Sequence, residues 1–103
     1  MARTYGEKFL IELYKNETQG LGITLAKLCV SANLPAAYVA KALDISRMTI
    51  YNWFRGDGVR EVHRAKVETF MDLVKADMDA GELPAKGNID AKLYIDKMLG
   101  TSP

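Results

Sequence analysis

Several things are scarce in this 103-residue chain, and each scarcity narrows what the chain can be. It has one cysteine, Cys29, so an intrachain disulfide is excluded. It has one histidine, His63, thirty-four positions further on. One Cys and one His so far apart are not a zinc-ligand set, which needs three or four clustered ligands. No apolar run approaches the ~20 residues of a membrane span. The first residues lack the apolar core and small-residue cleavage site of a signal peptide, so we expect a cytoplasmic protein, free or on the nucleoid, with no membrane partner. There is no phosphate-binding Gly-rich loop, nucleophile elbow or HExxH. From these absences we expect no enzyme, no cofactor and no metal.

Net charge is also scarce, at +1, but it is unevenly spread. Positions 24–66 hold seven bases (Lys27, Lys41, Arg47, Arg55, Arg60, Arg64, Lys66) against three acids (Asp44, Asp57, Glu61), a local +4. From position 67 onward four lysines face seven acids, a local −3. The first 23 residues balance. A basic centre with an acidic tail suits a chain that offers one face to phosphate and keeps another away from it.

What is abundant is helical periodicity. Hydrophobic residues make up 49% of the chain and charged ones 26%, an ordinary globular balance, and no alternating strand pattern interrupts it. We therefore expect a single all-α domain over 1–103. Tyr5, Phe9 and Leu13, with Leu10 and Tyr14 alongside, mark the apolar face of a first helix that ends between Asn16 and Gly20. Positions 18–22, with two glycines, read as a turn. A second helix spans Ile23 to Asn33, with Thr24, Leu25, Leu28 and Cys29 on its inner face, Cys29 as a small buried hydrophobe. Pro35 suits the first turn of a third helix, where its missing N–H is not needed. Ser46 caps a fourth, carrying Ile50, Trp53 and Phe54 and stopping at Gly56. Arg60 to Ala80 reads as a long helix with Val67, Phe70, Met71, Val74 and Met78 on one side. Gly81 ends it, and Pro84 prevents a restart. Asn88 is placed to cap a last helix, Ile89 to Leu99, whose apolar residues are Ile89, Leu93, Tyr94 and Met98.

The segment Pro35 to Gly56 meets the demands of a helix-turn-helix. Small Ala40 sits where the two helices touch, Val39 and Leu43 line the inner face of the first, and Ile45 plugs the turn. Ile50 and Trp53, three apart, line the inner face of the second. Ser46, Arg47, Met48, Tyr51, Asn52 and Arg55 are left to face outward.

The run from Val39 to Gly56 resembles the lambda repressor-like family, the Cro and cI type of phage and bacterial regulators. The resemblance extends over 23–80, leaving 1–22 as an N-terminal extension and 81–103 as a C-terminal one. Two positions depart from the pattern. Asp44 holds the turn position usually given to Gly, and Asp tolerates the left-handed conformation better than most residues. Ala36 stands where relatives often place a polar residue that grips phosphate.

The resemblance implies double-stranded DNA as partner, with the helix over 46–55 in the major groove. Arg47, Met48 and Asn52 are then the base-contacting candidates: Arg47 on guanine, Asn52 on adenine, Met48 on a thymine methyl. Ser46, Tyr51, Arg55, Lys41, Tyr38 and Arg60 are candidates for phosphate. The competing readings are plain ones. Arg47 and Arg55 are then solvated surface charges, Met48 packs on a neighbour, and His63 is a surface residue. A single helix-turn-helix spans few base pairs, so a homodimer or higher homo-oligomer is expected, through the first or last helix if these do not simply cover the core. The leading functional expectation is a sequence-specific transcriptional regulator. The alternatives are a DNA-packaging adaptor resembling a phage small terminase subunit, and a non-DNA protein-interaction module on the same fold.

Overall fold

A computed structural model describes residues 5–16 and 20–100. They form six helices: α1 (Glu7–Lys15), α2 (Leu21–Ala32), α3 (Ala36–Leu43), α4 (Arg47–Phe54), α5 (Glu61–Asp79) and α6 (Asn88–Met98). There is no strand among the described residues, as expected of an all-α chain. No single helix there is long and apolar enough to cross a membrane.

α2 is the central helix. Ile23, Leu25, Ala26, Cys29 and Ala32 are buried around much of its circumference, as suits a helix covered on several sides, while Thr24, expected on the inner face, is exposed and donates from Oγ1 to Gly20 O at 3.0 Å. α4 and α5 pack against it, α3 packs on α4 and α6, and α1 closes over α2. Burial pushes the Cys29 thiol well above its ordinary range, so it stays protonated and behaves as the small hydrophobe expected. α1 buries Leu10 and Leu13 and sets Phe9 beside the rings of Tyr5 and Phe54, at centroid distances of 5.3 and 6.2 Å, whereas Tyr14, expected on the same face, is exposed. The Tyr5 hydroxyl donates to the Leu34 carbonyl, which ties the chain before α1 to the α2–α3 turn.

The turns obey the chemistry read from the sequence. α2 ends at Asn33 in the left-handed region (φ 56°), with Leu34 N–H bonded to Cys29 O at 2.9 Å. α3 ends in the same way at Asp44 (φ 55°), with Ile45 N–H on Ala40 O at 3.0 Å. Asp44 therefore takes the conformation for which Gly is the commoner choice. Ser46 Oγ caps α4 by accepting from Thr49 N at 3.1 Å.

Three expectations change. Positions 18–22 are not all turn: 17–19 lie outside the described residues, but Leu21 and Gly22 belong to α2. Gly22 is there for proximity. A Cβ on it would stand 2.5 Å from Trp53 O and 3.0 Å from Trp53 Cβ, so glycine lets α2 and α4 meet backbone to backbone. Second, the cap of α6 is Gly87, not Asn88; the turn is held by Asp90, whose carboxylate accepts from Lys86 N at 2.8 Å.

Third, the apolar residues of α6 that were expected to share one face divide between core and solvent. It buries Ala91, Ile95 and Asp96, leaves Tyr94 and Met98 half-buried, and turns Ile89 and Leu93 outward, 79% and 49% exposed. Ala91 and Ile95, four apart, form a narrow inner stripe, and small Ala91 suits a close approach to the core. Asp96 comes with them because it is paired: Lys41 Nζ lies 3.1 Å from one carboxylate oxygen and Lys92 Nζ 2.8 Å from the other. Hydrogen bonds from Lys92 and then Lys41 hold the Asp96 carboxyl below its ordinary range and raise that of Lys92. A second tie runs from the α5–α6 connection to the end of α2. Ala85 N–H donates to Ala32 O at 2.9 Å, and buried Asn33 Nδ2 donates to Ala85 O at 2.8 Å.

Candidate nucleic-acid interface

The α3–α4 pair is shaped by side chains that point inward. Val39, Ala40, Leu43, Ile50, Trp53 and Phe54 are all buried, and Ile45 is half-buried in the turn. Ala40 is 2% exposed in this cluster. With those positions committed to the core, the helical period leaves 47, 48, 51 and 55 on the other side of α4. Arg47 and Arg55 are exposed, Met48 is 73% exposed and Tyr51 45%. Met48 thus does not pack on a neighbour, and Tyr51 is open to solvent. Ser46, which caps the helix, is exposed at its leading end.

Asn52 differs from its neighbours. It is half-buried, and its Oδ1 accepts from Arg55 Nη2 at 2.5 Å. Reading adenine through two hydrogen bonds needs both Oδ1 and Nδ2 of the carboxamide. The Arg55 bond occupies one of the two lone pairs of that acceptor. In this arrangement Asn52 orients Arg55, whose guanidinium has five N–H donors and so retains several for an external oxygen. The end of the helix is held further by Asn16 of the α1 end, whose Nδ2 donates to Arg55 O at 3.3 Å.

The phosphate candidates separate into two groups. Ser46, Tyr51 and Arg55 lie on α4 or at its two ends, and Arg60 stands just before α5 across a polar cleft of about 370 Å³. That cleft is also lined by Thr49, Asn52, Trp53, Asp57 and His63. Lys41 stands apart, because its ammonium is bound to Asp96 of α6. Tyr38, three residues before it, is half-buried against the core. α6 therefore engages Lys41, which the bare helix-turn-helix pattern leaves free for phosphate.

Sequence reasoning missed two residues of this region. Thr49 supports the cap, with its Oγ1 2.8 Å from Ser46 Oγ, and lines the cleft together with Asn52. The signal was its position three residues from both. His63 is not a simple surface residue: its ring centroid lies 5.5 Å from that of Trp53, and its Nδ1 is buried without a hydrogen-bond partner. Its place in the first turn of α5, facing back toward α4, accounts for this.

Compared with family models, with curated proteins and with solved structures, the chain gives no match.

Proposed function

We propose that this chain is a sequence-specific double-stranded DNA-binding protein that presents the outer face of α4 to the major groove and acts as a transcriptional regulator. The observation that carries the reading is the division of α4. Ile50, Trp53 and Phe54 are buried, while Arg47, Met48, Tyr51 and Arg55 project from the opposite side at the end of a tight two-helix turn. Two arginines, a methionine and a tyrosine along one short helix combine donors for base edges and phosphate with an apolar tip for a thymine methyl. The local +4 of positions 24–66 supports the same reading, as does the resemblance to the lambda repressor-like family.

In this proposal Arg47 and Met48, in the first turn of α4, read bases. Arg55, steadied by Asn52, grips phosphate with Tyr51, Ser46 and Arg60. Lys41 and Tyr38 serve the packing of α6 instead. The test is selection of bound duplexes from a random pool at a stated salt concentration, first with the natural chain and then with Arg47→Ala. A short enriched sequence, broadened by Arg47→Ala, is expected. Recovery of the unselected pool would overturn the reading.

A further inference from the structure

The bridge between Lys41 of α3 and Asp96 of α6 serves its two ends unequally. The Lys41 side chain is 55% exposed and that of Lys92 is 59% exposed, so water can satisfy either ammonium without a protein partner. The Asp96 side chain is only 8% exposed and depends on the two ammoniums. Its surroundings are apolar along the helix: Ile95 beside it and Ala91 are buried. At such a place a well-packed hydrophobic side chain generally supports a fold as well as a charge pair does, or better. Packing therefore accounts for a buried side chain at position 96 but not for a carboxylate there. What the carboxylate adds is a negative charge set against Lys41.

Lys41 stands where that charge has consequences. It lies in the last turn of α3, on the side opposite buried Val39 and Leu43. Its carbonyl accepts from Asp44 N–H at 3.2 Å, in the turn that leads to exposed Ser46 and Arg47 at the start of α4. To an ammonium, carboxylate and phosphate oxygens are alternative acceptors of the same kind. Asp96 occupies that role 3.1 Å from Lys41 Nζ, and Lys92, one turn before it on α6, holds the other carboxylate oxygen.

We propose that Asp96 restrains DNA binding from within: α6 sets this carboxylate on Lys41 and so withholds from the phosphate backbone a cation that the α3–α4 pair carries. The inference rests on the DNA reading of α4 and adds control to it. The natural chain binds with one phosphate contact fewer than its surface holds, and any event that draws α6 away from α3 restores that contact.

The test is a salt titration of binding, followed by fluorescence anisotropy, to the selected duplex and to a mixed-sequence duplex. Asp96→Asn should steepen the fall of log K with log salt by about 0.9, which is about eightfold tighter binding at ~0.1 M salt when the two lines meet near ~1 M. The gain should be alike on both duplexes, because a phosphate contact carries no sequence information. Lys41→Ala alone should bind as the natural chain does. Added to Asp96→Asn it should cancel the gain, which separates release of Lys41 from the mere loss of a negative charge. Asp96→Leu, which fills the buried place without charge, should match Asp96→Asn, and thermal melts set the temperature at which every variant is folded. A natural slope in both Asp96 variants, or a gain that survives Lys41→Ala, would overturn the proposal and leave the DNA reading intact. A natural chain that binds neither duplex would overturn both.

Discussion

Replacing Gly22 by alanine separates two opposing effects that the structure allows to be weighed. In a helix interior the change normally favours folding by about 1 kcal/mol, since alanine is the better helix former. Here the new Cβ would lie 2.5 Å from the Trp53 carbonyl oxygen and 3.0 Å from its carbonyl carbon and Cβ. The obstacle is mainly backbone, so it cannot rotate away as the tip of a long side chain does. Overpacking in a close-fitted interior costs about 1–3 kcal/mol, and a contact this short belongs at the upper end. The expected net effect is a loss of about 2 kcal/mol. At ~4–8 °C per kcal/mol for a domain of this size, the melting temperature should fall by about 8–16 °C. The indole lies on the same residue, so Trp53 fluorescence should shift in the native state. Gly58→Ala is the control: nothing lies within 4 Å of its would-be Cβ and it stands in the exposed α4–α5 loop, so it should melt close to the natural chain. If Gly22→Ala melts at or above the natural chain, the claim that glycine is required for the α2–α4 approach is wrong.

Asp96 gives a pH prediction. Its carboxyl is held below the ordinary value near ~3.9, so its contribution to stability is fully present above that value and is lost as pH falls through the lower folded one. Asp96→Asn should lower the melting temperature at neutral pH, and the gap to the natural chain should close as the solution is acidified; a gap independent of pH would refute the pairing. His63→Phe removes a buried nitrogen without a partner, a kind of group that costs about 1–3 kcal/mol, so thermal melts should show stability retained or raised by about 1 kcal/mol. A loss of several degrees would mean that His63 makes a bond that matters. Lys41→Ala should leave DNA affinity and its salt dependence unchanged while lowering stability, because its ammonium serves Asp96. A reduced salt slope in that variant would return Lys41 to the phosphate contacts.

Much of the α3–α4 pair was legible in the sequence because its demands are local. Ala40, Leu43, Ile50 and Trp53 lie within fourteen positions of one another, and helical period alone sends them to one side. The Asp44 turn and the Ser46 cap are local for the same reason. What escaped depended on distant partners. Asp96 is buried because Lys41, fifty-five positions away, reaches it, and small Ala91, not Ile89 or Leu93, joins Ile95 in the core. Gly22 carried two meanings, flexible turn and close approach, and only the position of Trp53 distinguishes them. The Asn52–Arg55 bond has helical spacing that favours such a pair, yet the role first given to Asn52 came from the resemblance and treated it as separate from Arg55.

The most direct test of the central claim is the affinity of the chain for its selected duplex, titrated across salt for the natural protein and for Arg55→Ala. Binding through the α4 face predicts that log K falls linearly with log salt, and that Arg55→Ala weakens binding and reduces the slope by about 1. Binding that is absent, or a slope that Arg55→Ala leaves unchanged, would contradict it.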